Sequence, residues 1–286
     1  LKEKEPGVYI GAYRVRRKDR LPHGRIIGYL RAKSGTGSQW VDTLGPVKIG
    51  EPTVLPPKIA KNTVLTAAKS PYLVEDALLV LPGAKLTIQP GTVIWFRNLG
   101  LIVKGELRVN GTEAAPVRLA SLGAGSWKGV FIDKTRNGSQ ISYCRISDAE
   151  FGLRATEAAV NVQNCLFQNN VWGIVLEQSQ AQIQSTLVRT SGKIGIAARK
   201  ADIVVEHSVI TENGAGGFIL EKSKARIEQN NIVNNGNWAI KVADTKSKVK
   251  AKHNWWGVED PEQTEIVGQF KIQPVLEKPI DFKIDS

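Results

Sequence analysis

Along the stretch from Phe151 to Val249, apolar and polar positions repeat at an interval of about 22 residues. Gly152, Gly173, Gly195, Gly217 and Ala239 each precede an apolar residue, at spacings of 21, 22, 22 and 22. The apolar positions Ile141, Val162, Ile183, Val205, Ile227 and Val249 keep the same interval, and Asn169, Ser191, Asn213 and Asn235 form a polar series spaced by 22. Within each interval, apolar residues alternate with polar ones in short runs, as half-buried strands do. Ile174 and Leu176 then face inward and Val175 outward, and Ala181 with Ile183, then Thr186 with Val188, supply two more inward pairs. Three such strands cannot bury their apolar faces alone and must stack on the coils before and after. The expected architecture is therefore all-β: a right-handed parallel β-helix with coils of about 22 residues, its hand set by strand twist and crossover preference.

The corners of the coil follow from the polar and small residues. Asn169, Ser191, Asn213 and Asn235 are expected at a sharp corner, with the next residues, Asn170, Gly192, Gly214 and Gly236, in the left-handed conformation that Asn and Gly tolerate. Ser179, Ala201, Ser223 and Thr245 stack at a second turn, and Cys144, Cys165, Thr186 and Ser208 form a column of small side chains. His207 is expected to make a corner hydrogen bond.

Two earlier segments carry the same unit. Leu86 and Ile88 recur one interval later as Leu107 and Val109, and Gly91-Thr92 recurs in the same way as Gly111-Thr112. The phrases "GAKLTIQPGT", "GELRVNGT", "WKGVFI" and "HNWWGVEDP" resemble the β-helix family of secreted bacterial cell-envelope proteins over residues 72 to 276. That resemblance implies a fold far more than an activity, and a secreted, periplasmic or cell-surface location. Ahead of it, residues 1–50 read as three or four short antiparallel strands separated by turn residues such as Pro22, Gly24 and Gly45-Pro46. "PGVYIGAYRV", "GRIIGYLRA" and "LGPVKI" resemble the second half of an immunoglobulin-like domain with its first half absent. The expected organisation is a partial immunoglobulin-like β-sheet at 1–50, a linker and cap at 51–71, the β-helix at 72–252, and a C-terminal cap at 253–286 whose prolines, Pro261, Pro274 and Pro279, break the period.

Charge changes the picture mainly at the start of the chain. Thirty-nine Lys and Arg stand against 27 Asp and Glu, a net +12, and residues 1–50 contribute eleven basic and four acidic side chains. Arg14, Arg16, Arg17, Lys18 and Arg20 therefore form a candidate patch for an anionic partner such as an acidic polysaccharide or envelope polymer. No helix-turn-helix, zinc-finger, RRM or KH signature accompanies the charge, which argues against nucleic acid. No apolar run is long enough to span a membrane. With Leu1 at the start and no Met, the chain reads as processed or trimmed. The two cysteines are one coil apart; stacked strands at about 4.8 Å would permit a disulfide, and the favoured reading is a pair of buried thiols acting as small apolar side chains.

Candidate chemistry is sparse. Carbohydrate-active β-helices of the polygalacturonase type carry paired Asp residues with Gly-His-Gly and Arg-Ile-Lys; this chain has no adjacent Asp pair, and its nearest phrase is Ala239-Ile240-Lys241. Asp148, Asp202 and Asp244 fall at different corners, the histidines His23, His207 and His253 are scattered, and Glu177, Arg199 and Glu221 form an outward ladder of alternating sign. No catalytic residue, cofactor or metal ligand set is assigned. What remains is surface. Arg154, Val175, Ala197, Ile219 and Lys241 stand in one outward row, apolar in the middle and basic at both ends. Trp172 and Trp238, three coils apart, frame a trough with Ile194 and Gly216 between them. The row is either covered from within the chain or open to a glycan or protein. The reading is a non-enzymatic binding or assembly protein. A polysaccharide lyase or hydrolase is the first alternative. The second is a filament or surface-layer subunit joined through the edge of the N-terminal sheet.

Overall fold

The computed structural model describes residues 52–122, 126–135, 138–258, 261, 266–268 and 270–284, together with the backbone of four strands nearer the N-terminus. Two compact units divide the chain at Pro52 and Thr53. In the first, Lys2–Glu5 pairs antiparallel with Val8–Ile10, and Ile27–Arg31 pairs antiparallel with Ser38–Asp42. The basic cluster Arg14, Arg16, Arg17, Lys18 and Arg20 lies outside the described residues.

The second unit is a parallel β-solenoid of three sheets. The first sheet stacks nine described strands from Thr63–Leu65 to Lys248–Lys250, the second nine from Thr53–Val54 to Asn231–Val233, and the third ten from Lys58–Ile59 to Ile266–Val267. Every pairing within them is parallel and joins successive coils, as between Gln180–Gln184 and Asp202–Glu206. The solenoid starts inside the stretch read as linker and cap: Thr53–Val54, Lys58–Ile59 and Thr63–Leu65 each pair with the following coil. These strands are only two or three residues long, too short to show alternation. Ile174, Leu176, Ile183 and Val188 face the interior and are buried, as alternation requires.

Three corners per coil carry the chain between sheets, and in the coils from Lys134 to Asn234 each corner has one residue with positive φ. The columns run through Glu157, Gln178 and Lys200 (φ 50, 49 and 51), through Asn164, Ser185 and His207 (53, 47 and 49), and through Asn169, Thr190 and Glu212 (55, 51 and 57). The residue that follows is the one that points inward. At the third corner it is Asn170, Ser191, Asn213 or Asn235, all buried. Asn170, not Asn169, is thus the first rung of the polar series. The left-handed residue precedes the series; Gly192, Gly214 and Gly236 are not left-handed. Gly214 and Gly236 are small because the coils approach there: a Cβ on Gly236 would lie 2.0 Å from the Gly214 carbonyl oxygen. His207 is an exposed left-handed corner residue.

Many of the inward corner residues offer an N–H that a side chain of the next coil accepts. Ser191 N–H donates to Asn213 Oδ1 (3.0 Å), and Asn213 N–H donates to Asn235 Oδ1 (3.2 Å). Asn213 Nδ2 also donates to the Val188 carbonyl at 3.3 Å. The second corner forms one continuous series. Cys144 N–H donates to Cys165 Sγ, Cys165 N–H to Thr186 Oγ1, Thr186 N–H to Ser208 Oγ, Ser208 N–H to Asn230 Oδ1 and Asn230 N–H to Asn254 Oδ1, at 2.9–3.4 Å. The column of glycines along the third sheet makes room for this arrangement. A Cβ at Gly195 would stand 2.8 Å from Asn213 Nδ2 and 2.9 Å from the Gly217 carbonyl oxygen.

The two cysteines are buried free thiols. Cys165 acts as a serine would in the series, accepting the Cys144 amide and contacting the Gln163 carbonyl oxygen at 3.2 Å. Burial pushes the Cys165 thiol up to about 12 and raises Cys144 well above its ordinary value.

The period slips in the last coil. Val249 pairs with Ala225 and so does not continue the row of Ile227; Ser247, not Thr245, accepts the Ser223 amide. Asp244 ties the two extra residues into a turn, accepting from Lys222 N–H, Ser247 Oγ–H and the amides of Lys246 and Ser247. Those bonds, the Lys222 amide first, hold its carboxyl down at about 2. Beyond it, Ile266–Val267 pairs with Ile240–Val242, the Ala251 amide donates to the Lys271 carbonyl, and Trp256 and Ile272 are buried across the end.

Asn213→Ala removes the acceptor for the Ser191 amide and the donor to the Val188 carbonyl. Each buried polar group left unpaired costs about 1–3 kcal/mol. Urea unfolding should show a loss of roughly 3 kcal/mol, against about 0.5 kcal/mol or less for Asn161→Ala on the exposed face. For the thiols, a disulfide reagent at pH 8 should find none reactive in the native protein and two after denaturation. Because the folded thiols ionise later than the unfolded ones, they bind more protons than the unfolded chain above pH 9. Stability should fall as pH rises from about 9 towards 12, and Cys165→Ser should lessen that slope.

Candidate binding groove

The outward row of the third sheet forms as the strand pairs dictate. Arg154, Val175, Ala197, Ile219 and Lys241 are successive partners in register, and all are half-buried. The row also extends the other way, through Phe131 and Ile102 to Leu79. From Leu79 to Ile219, six coil intervals make about 29 Å. Sequence periodicity misses this half because the step from Ile102 to Phe131 is longer than one regular interval, with an excursion between their strands. The alternation Val130-Phe131-Ile132 marks Phe131 as outward, but a register shift at Gly129/Val130 separates it from Trp127 and Lys128, whose own alternation points Phe131 inward.

Two shallow depressions lie along the row, with Arg154 at the border of both. One, of about 280 Å³, is lined by Phe151, Arg154, Trp172, Val175, Ala197 and Ile219, among others. The other, of about 390 Å³, is lined by Leu99, Ile102, Lys128, Phe131, Asp133 and Arg154, among others. The first gathers Arg154, Trp172, Val175, Ala197 and Ile219 but not Trp238 or Lys241. The Trp238 ring lies over Gly216, where an added Cβ would meet its Nε1 at 2.3 Å; Nε1–H donates to the Phe218 carbonyl at 3.0 Å, and Lys241 Nζ sits 4.7 Å from the ring centre. This ring fills the space of a glycine.

Trp172 belongs to an aromatic ladder along one edge of the row. Its ring is nearly parallel to Phe151, with centroids 6.4 Å apart and planes 11° apart, and Phe151 meets Phe131 edge-on at 5.8 Å. Lys193 Nζ lies 5.0 Å from the Trp172 centroid and the Arg154 guanidinium 5.3 Å from that of Phe151, both cation–π distances. The opposite edge carries Glu177, Arg199 and Glu221 in register. The ladder of alternating sign pairs differently from its sequence order: Glu177 binds Arg154 at 3.0 Å, and Arg199 reaches Glu221 at 3.7 Å. Lys128 is paired with Glu150. The groove thus has an apolar floor, an aromatic edge, and a charged edge whose arginines and glutamates neutralise one another.

Among the described residues, no three His, Cys, Asp or Glu side chains meet as metal ligands do, and no helix is long and apolar enough to cross a membrane. Asp148 and Asp244 are corner or turn residues, and Asp202 pairs with Lys224 at 3.1 Å.

A family profile described as "Right handed beta helix region" matches residues 152–256. The fold is that of a right-handed β-helix. The chain is also similar to Protein bark beetle of Drosophila melanogaster, 29% identical over 126 residues, or 43% of this chain and 4% of that protein. The chain therefore spans a small fraction of that relative's length. No solved structure matches the chain at a significant level.

Gly216→Ala should displace the Trp238 ring and break its bond to the Phe218 carbonyl. The expected result is a red shift in tryptophan emission, absent on a Trp238→Phe background, and a loss of about 1–2 kcal/mol in urea unfolding.

Proposed function

We propose that the protein is a non-catalytic binding scaffold of the cell envelope or extracellular space, holding an extended, uncharged polysaccharide strand along the third sheet. The observation that carries this reading is the groove's lining: an apolar floor beside paired charges. A sugar ring has an apolar C–H face and a polar rim, so the face suits Val175, Ala197, Ile219 and the Phe151–Trp172 edge. The rim suits the carboxylate and guanidinium groups of Glu177, Arg199 and Glu221. Because those charges already neutralise one another, the charged edge adds little attraction to a polyanion, and Lys193 and Lys241 lie over tryptophan rings. The N-terminal basic cluster is the part of the chain that would engage an acidic polymer.

Titration calorimetry against a panel of neutral and uronic-acid oligosaccharides tests this. A neutral oligosaccharide should bind with an affinity that changes less than about twofold between low and high salt, since paired charges respond little to screening. Trp172→Ala with Ile219→Asp should weaken it at least about tenfold, while Gln182→Ala on the first sheet leaves it unchanged. Affinity unmoved by the double variant would overturn the site. Steep salt dependence with a preference for uronates would shift the reading to the basic cluster. Release of reducing ends or unsaturated products from the same panel would favour the lyase or hydrolase alternative.

A further inference from the structure

The second sheet shows an outward row that is buried where an open face would be exposed. Arg145, Leu166, Leu187, Val209 and Asn231 are successive partners in register and alternate with the inward residues Ile146, Phe167, Val188, Ile210 and Ile232. Leu166 nevertheless retains 1% of its surface and Leu187 9%. The C-terminal segment returns along this row, bordering Leu166 at one end and Asn231 at the other. After crossing the end of the solenoid, the chain turns back: the Leu276 amide donates to the Asn254 carbonyl, and Ile280 forms a two-way pair with the Asn231 side chain. Asn231 Nδ2 donates to the Ile280 carbonyl at 3.2 Å, and the Ile280 amide donates to Asn231 Oδ1 at 2.9 Å. Lys283 and Ile284 then border a cavity of about 200 Å³ with Tyr143, Arg145, Asn164 and Leu166.

These two anchor points fix the path. From the coil of Asn231 to that of Leu166 is three intervals, about 14 Å, and the chain from Ile280 to Ile284 covers about 13–14 Å when extended. The segment therefore crosses the coils as an extended strand. Its sequence, Ile280-Asp281-Phe282-Lys283-Ile284, places half-buried apolar residues at alternate positions, with exposed charged residues between them. It joins no sheet, and the Asn231 pair and those apolar side chains help hold it on the face.

We propose that the outer face of the second sheet is a peptide-binding groove, filled in cis by residues 276–284. The partner it fits is an extended segment with apolar residues at alternate positions and charged residues between. Asn231 reads the backbone of that segment as a neighbouring strand would, and the Leu166–Leu187–Val209 row takes its apolar side chains. A partner competes with the tail, so the site opens only when the tail leaves. This groove and the one on the third sheet are separate surfaces.

The test uses the full chain carrying Phe282→Asp and Ile284→Asp, which frees the tail, and a fluorescent peptide of residues 276–284 read by anisotropy. The variant should bind the peptide saturably, wild-type protein at least about tenfold more weakly, and the variant with Asn231→Ala also at least about tenfold more weakly. A peptide with Asp in place of Ile280, Phe282 and Ile284 should not bind. A folded variant that fails to bind, or equal binding by variant and wild type, overturns the proposal. Should the double Asp variant not fold, Ile280→Ala with Phe282→Ala takes its place. Failure of both to fold would make the tail an integral part of the core and overturn the proposal too.

Discussion

A chain that turns three corners per coil has to find a partner for every amide at every corner. Along the flat strands, the carbonyls of the next coil are in line; after each left-handed residue they are not, because the backbone has stepped inward. Side chains fill the gap. Asn213, Ser208, Thr186 and Cys165 each accept the amide of the coil before, and the asparagines also return a donor to an earlier carbonyl. An unpaired buried amide is expensive, so most of these positions carry a short side chain with an acceptor, and Ala149, Ala158 and Ala201 are the exceptions. The thiols, the asparagine series and the glycine column are answers to that one requirement, the glycines by leaving space for the inward side chains.

With many of the corner amides paired within the stack, the three outer faces are free to differ. The first sheet carries exposed amides and charges, including Gln140, Asn161 and Gln182 in register. The second has the returning tail along its outer row. The third keeps a half-buried apolar row between an aromatic edge and a set of neutralised charges. One backbone repeat thus supports three surfaces, because alternation fixes which residues face out but not what they are.

Much of this is legible in the chain itself. The fold, the inward and outward assignment of Ile174, Val175 and Leu176, and the column of Cys144, Cys165, Thr186 and Ser208 follow from spacing. The left-handed residues do not. Asn169 and Asn170 are adjacent amides, and only the backbone shows that the first turns the corner and the second points in. The last coil also misleads, because Asp244 draws two extra residues into its turn and moves Val249 from the row of Ile227 to that of Ala225. In the groove, Trp172 and Trp238 have equal claim by position, yet one edges the depression and the other fills the room left by Gly216.

The sequence by itself determines that this is a three-sided parallel solenoid, because strand alternation and a fixed interval leave the apolar residues no other way to be buried. The tertiary structure alone decides which outward rows are available. The length of the groove depends on stacking Phe131 against Arg154 across irregular intervals. Its charge balance depends on Arg154 choosing Glu177. Whether Leu166 and Leu187 face solvent depends on where residues 276–284 return. These are contacts between residues far apart in sequence, which no local period encodes.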